Sequence, residues 1–204
     1  AHTGARCIDH AGHVVADGYS VQANMMASPE VWPAMAAAYE AATGPFPQRL
    51  LGALLAAEGA GGDARGRMSA AVLVVDGERR PEPWAGVVVD VRVDDSERPL
   101  DEIARLLTAA EAFDHCDRAE TELFGGDPPT ALVEVDRALA LLPADENARF
   151  LRAAALLVGQ PEAGVRELRA LVENRPTWAV VLRSFVTSDQ LPLPAGIGLP
   201  DIGC

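Results

Sequence analysis

The hydrophobic pattern changes period near Pro99, and that switch constrains this chain more than any other feature. Up to about residue 95 the apolar residues alternate or form short runs, as strands require, with helical stretches between them. Tyr19–Met26 reads as a strand ended by Ser28-Pro29. Ser28 then suits an N-cap with Pro29 in the first helical position, and Met35, Ala38, Tyr39 and Ala42 carry helical spacing up to Gly44-Pro45. A second helix is expected over 47–58, with Leu50, Leu51, Leu54 and Leu55 as its apolar face. Gly59–Arg67 is a glycine-rich loop, and Met68–Val75 is a nearly continuous apolar strand, expected to be buried on both faces. A turn over Glu78–Pro83 leads to a strand at Gly86–Val93 with charges at alternate positions. The order is β–α–α–β–β.

From Leu100 the spacing is helical to about Ser188, with breaks at Gly125–Pro129, Pro143, Gly159–Pro161 and Pro176. Two long segments of different texture predict an α+β chain. Its parts are residues 1–95, a connecting helix over 96–118, a helical region over 119–190, and a Pro/Gly-rich tail over 191–204 expected to be loop or disordered. Ala131, Val135, Ala138 and Pro143 are spaced as in the second helix of a tetratricopeptide unit. Ala163, Ala170 and Pro176 repeat the pattern some 32–33 residues later, with Glu167 where a large apolar residue is expected. An ordinary helical bundle accounts for the same spacing. Two units are fewer than the roughly three that stack into a self-sufficient core, so this region is expected to lean on the first domain or on another subunit, closed by a helix carrying Trp178, Leu182 and Phe185.

Charge removes several function classes. The net charge is −13, with both halves acidic, and all 17 basic residues are Arg. Nucleic-acid binding by clustered cations is excluded, and so is any chemistry that needs a lysine. No apolar run reaches the roughly 18 residues of a membrane span. The 3 Cys imply no disulfide framework and favour free thiols. Residues 1–20 show neither a basic segment nor an apolar one of signal-peptide type, and a cytoplasmic location is expected. Their strand-and-turn texture begins at the first residue, as in the middle of a domain.

Candidate chemistry gathers in the first half. Cys7, His10 and His13 are three apart, a spacing that suits zinc, yet no second clear pair accompanies them; neither metal nor cofactor is expected. The block Gly61-Gly62-Asp63-Ala64-Arg65-Gly66 lacks the lysine of a phosphate loop. Its Asp63 and Arg65 stand beside a strand that begins near Ser69. Either Arg65 grips a ligand carboxylate or the two form a salt bridge in a tight loop. Asn24, in an apolar strand next to Met25-Met26, must find partners, as a backbone clamp or as an oxyanion donor. Asp90, Arg92 and Asp94 share one strand face and read as solvated or ion-paired. No serine lies in a Gly-x-Ser-x-Gly elbow, and Ala1 has no hydroxyl or thiol with which to act as a terminal nucleophile.

CIDHAGH (Cys7–His13), GYSVQANMM (Gly18–Met26), PEVWPAMAAAYEAATGP (Pro29–Pro45), GGDARGRMSAAVLVV (Gly61–Val75) and VDVRVDD (Val89–Asp95) together resemble domain-of-unknown-function family 1028 (DUF1028). The resemblance covers about 90 residues, departing at Ala23, where the family pattern has glycine, and at Met68, where it has glutamine. It implies part of an αββα sandwich similar to that of the N-terminal nucleophile hydrolases, with a leading segment, ahead of the part matching Ala1, that is absent here. On that basis the full-length protein is expected to hydrolyse an amide bond of a small-molecule or peptide substrate. Asn24 would stabilise an oxyanion, Arg65 hold a substrate carboxylate, Asp63 orient Arg65, and Ser69 hydrogen-bond within the site. This chain alone would be inert. The alternative is a non-catalytic scaffold that recruits a protein partner through residues 119–190. Because half a sandwich exposes strand edges, a homo-oligomer or a missing N-terminal segment is expected.

Overall fold

In the computed structural model residues 1–204 are described, except for the side chain of Pro83. The architecture is α+β, with eight helices and two antiparallel two-stranded sheets among the described residues. It divides into two compact units, Ala1–Leu107 and Thr108–Cys204. No helix among the described residues is long and apolar enough to cross a membrane.

In the first unit, β1 (Gly12–Ala16) and β2 (Tyr19–Ala23) form a hairpin whose turn places Gly18 at φ 78°, a conformation glycine adopts without steric cost. Helices α1 (Val31–Ala41) and α2 (Phe46–Gly59) follow. The Trp32 ring of α1 lies so close to β1 that a Cβ on Gly12 would stand 2.1 Å from Trp32 Cε2. Helix α1 begins later than expected. Ser28 Oγ accepts the backbone N–H of Glu30 at 3.1 Å, closing a turn ahead of the helix rather than capping it.

β3 (Ala70–Val75) and β4 (Val87–Val93) make the second hairpin, with Val72 opposite Val91. Val72 and Val74 are buried with Leu51 of α2 and with Ile103 and Leu107 of α3 (Pro99–Gly125). The expectation that this strand is buried on both faces is corrected, because Leu73 is 56% and Val75 58% exposed. Only one face of this two-stranded sheet carries a packed layer. On the other, Arg92 and Asp90 form an exposed ion pair at 2.6 Å. Leu55 is likewise exposed, whereas Leu51 is core and Leu50 and Leu54 pack at its margin.

The second unit has its own core, built from Cys116, Ala119 and Leu123 of α3 and the inner faces of four further helices, α4 (Pro128–Leu141), α5 (Glu146–Gly159), α6 (Pro161–Asn174) and α7 (Trp178–Thr187). The breaks fall where proline and glycine place them. Asp127 caps α4 through the Thr130 N–H at 3.1 Å, and Asp145 caps α5 through the Ala148 N–H at 2.8 Å. The inner face of α6 differs from expectation by one residue. Gly164, Leu168 and Leu171 are buried, while Ala163 and Ala170 are not. Ala131, Val135, Ala138 and Pro143 thus correspond to Gly164, Leu168, Leu171 and Pro176, each pair 33 residues apart. In this register Glu167 lies on the flank, where it pairs with Arg152.

The tail is tied down rather than disordered. Leu191 and Ile202 are buried in the core, Ile202 on the short helix α8 (Leu199–Ile202), and Arg169 Nη2 donates to the Asp201 carbonyl at 2.6 Å.

Candidate functional site

The glycine-rich loop after α2 is stitched to the segment after β2. The Ala27 N–H donates to Gly62 O and the Ala64 N–H to Met25 O, each at 2.9 Å, so that Met26 and Asp63 form an antiparallel bridge. Gly61, Gly62 and Gly66 hold positive φ there, which explains why glycine recurs in this stretch. Met25 also takes a left-handed φ of 62°, a conformation that costs a side chain with a Cβ about 1 kcal/mol or more.

This stitching sets the geometry of Asp63. Its Oδ1 accepts the backbone N–H of Arg65 at 2.8 Å and Arg65 Nε at 2.9 Å, and its Oδ2 accepts Arg65 Nη2 at 2.7 Å. The two side-chain bonds form a fork that holds one edge of the guanidinium in a fixed plane. They lower the Asp63 pKa to about 2, with the Arg65 backbone N–H adding to the effect. The Arg65 side chain remains 72% exposed, and its Nη1 is free to meet a ligand. A second ion pair, Arg67 with Glu58, braces the far end of the loop.

Asn24, Asp63, Arg65 and Ser69 all line one cavity of about 730 Å³ within the first unit. That volume falls within the range of small-molecule sites. Its apolar wall includes Val31 and Met35 of α1 and Leu54 of α2. Two details differ from expectation. β2 ends at Ala23, so Asn24 follows the strand and is exposed rather than buried in it. Ser69 precedes β3 and is exposed as well. Neither side chain spends its polar atoms on a partner among the described residues. Solvent meets the requirement that a buried amide would have placed on the protein.

Sequence reasoning overlooked Asp95. It follows β4 and lines the same cavity, held there because the Ser96 N–H donates to the Met68 carbonyl at 2.8 Å. Asp94 and Asp95 stand together at the end of VDVRVDD, a position that reads equally well as a solvated charge step. Of the early thiol and imidazoles, Cys7 is exposed, and His13 Nδ1 lies 2.6 Å from Thr3 Oγ1.

Fold and cavity define an α+β protein with a preset carboxylate–guanidinium fork at the edge of a ligand-sized cavity. The sequence profile of DUF1028, a family of unknown function, matches residues 1–103, and the chain belongs to that family. Among solved structures it is similar to protein SPO2555 from Silicibacter pomeroyi, described with the same family. Identity is 34% over 53% of this chain and 44% of that one, with a TM-score of 0.45. The chain thus spans less than half the length of that relative. No curated protein matches.

Proposed function

We propose that the cavity is the substrate pocket of an amide hydrolase acting on a small molecule or short peptide. The observation that carries this reading is the meeting of Asn24, Arg65 and Ser69 in one cavity, with Arg65 already oriented by Asp63. Arg65 offers Nη1 to a substrate carboxylate, and the Asn24 amide is the donor for an oxyanion developing on the scissile carbonyl. Ser69 hydrogen-bonds the substrate beside it. The attacking nucleophile comes from outside these residues, because Ser69 has no base bonded to it. Overall, one water is consumed: the C–N bond breaks, the carbonyl carbon takes the hydroxyl and the departing amine takes the proton. The resemblance to DUF1028, which implies a fold similar to that of the N-terminal nucleophile hydrolases, supports this chemistry over binding alone.

The test is hydrolysis of a panel of chromogenic amides by the complete gene product, with Asn24→Ala and Arg65→Ala beside it. Loss of an oxyanion donor is expected to lower kcat by about 10²–10³-fold. Arg65→Ala is expected to raise KM for carboxylate-bearing amides. Turnover that neither substitution alters, or no turnover anywhere in the panel, overturns the reading.

A further inference from the structure

The charged groups of the cavity divide into those already satisfied and those left over. Asp63 is bonded by Arg65, and Glu58 by Arg67. Arg65 Nη1 and the Asp95 carboxylate remain unengaged among the described residues, and both line the cavity. They carry opposite charge. Asp95 is anchored through Ser96 to Met68, and Arg65 is anchored by its own fork to Asp63. The uncommitted Asn24 amide and Ser69 hydroxyl and the apolar side chains of Val31, Met35 and Leu54 line the same cavity.

We infer that the ligand is a zwitterion of about dipeptide size, its carboxylate on Arg65 and its ammonium on Asp95. This rests on taking the cavity as the substrate site, and it narrows the substrate to an amide bearing a free amine at one end and a free acid at the other. A monoanionic ligand would leave the Asp95 carboxylate in the same cavity repelling it. A cation alone would leave Arg65 without a partner for Nη1. The neutral polar groups suit the peptide bond between the two charged ends, since an amide presents both a carbonyl acceptor and an N–H donor.

The experiment is calorimetric titration of the full chain at pH 7 with L-alanyl-L-alanine, its N-acetyl derivative and its C-terminal amide. The free dipeptide is expected to bind, and removal of either terminal charge to weaken binding about tenfold or more, the loss of one charge-assisted hydrogen bond. Asp95→Asn is expected to abolish the penalty for N-acetylation and leave that for amidation. Arg65→Gln is expected to do the reverse, with circular dichroism confirming that both variants fold. Equal binding of the three ligands, penalties unchanged in the variants, or no binding of the dipeptide at about 10 mM overturns the inference. Binding with this pattern but without amide turnover would sink the hydrolase reading alone. Turnover of N-acetylated amides as fast as of free ones would sink the zwitterion alone.

Discussion

Replacing Gly164 by alanine puts the register of the second unit to a direct test. A Cβ at this position would lie 2.8 Å from Ala153 O, 2.8 Å from Leu157 N and 2.9 Å from Leu157 Cδ2. Two of those atoms belong to the backbone of α5 and cannot rotate away. Ordinary contact would require α6 to withdraw from α5 by roughly 0.5 Å, a gap that forfeits about a quarter of the dispersion energy of the atom pairs it opens. Such overpacking costs about 1–3 kcal/mol. The gain in helix propensity from glycine to alanine returns about 1 kcal/mol. The net expectation is destabilisation by about 1 kcal/mol or more, which for a unit of this size lowers Tm by about 4–8 °C per kcal/mol. Differential scanning calorimetry reads this, with Gly52→Ala as the contrast. Gly52 lies inside α2 with nothing within 4 Å of an added Cβ, so that substitution is expected to stabilise by about 0.5–1 kcal/mol. A Gly164→Ala protein as stable as the parent would refute the close approach of α5 and α6.

Three further outcomes follow from particular contacts. Because Asp63 titrates near 2 instead of its ordinary 3.8, its contribution to stability is fully present above pH 4 and is lost as pH falls toward 2; a carboxyl midpoint by NMR at or above 3.5 would contradict the fork. Burial, with Asp145 and Asp117 nearby, pushes the Cys116 thiol up to about 11, whereas Cys7 is exposed. At pH 8 a thiol reagent should label Cys7 at once and Cys116 only after unfolding, and labelling of both at one rate would show that the second core is not closed. Glu134 of α4 is buried and accepts or shares a proton with His115 Nδ1 at 2.7 Å and accepts from Arg137 Nη1 at 2.5 Å, the His115 bond being the main cause of its lowered pKa. Glu134→Ala should cost about 1.5–3 kcal/mol in urea denaturation, and a change below about 0.5 kcal/mol would mean that water already satisfies these groups.

Much of this architecture is written in short stretches of chain. Proline and glycine end α3, α4, α5 and α6 within two residues of where they stand, and Asp127 and Asp145 cap α4 and α5, because capping and chain-breaking act over one turn. The α+β class is equally local, since periods of 2 and 3.6 are visible in windows of about ten residues. The aspartate–arginine fork also involves residues only two positions apart, which is why Asp63 and Arg65 were legible as a pair. Where expectation and structure part, the deciding contact is remote or the margin is a single residue. One step along a helix turns a side chain by about 100°, so taking Ala163 in place of Gly164 turns the repeat away from its core. Whether Ala or Gly stands at that position matters only because another helix is less than 3 Å from where the Cβ would be.

Local sequence alone carried the α+β class, most of the helix breaks of the second unit, the acidic, lysine-free composition, and the presence of an Asp-Arg pair in a glycine-rich loop. Only the tertiary structure brought Asn24, Asp63, Ser69 and Asp95 around one cavity, turned one face of β3 to solvent, and drew Ile202 of the tail into a core. The physical reason is range. Propensity and capping are spent within a turn or two of chain, whereas the Met26–Asp63 bridge and the Ser96–Met68 bond join residues far apart in sequence, and their partners are chosen by how the whole unit packs.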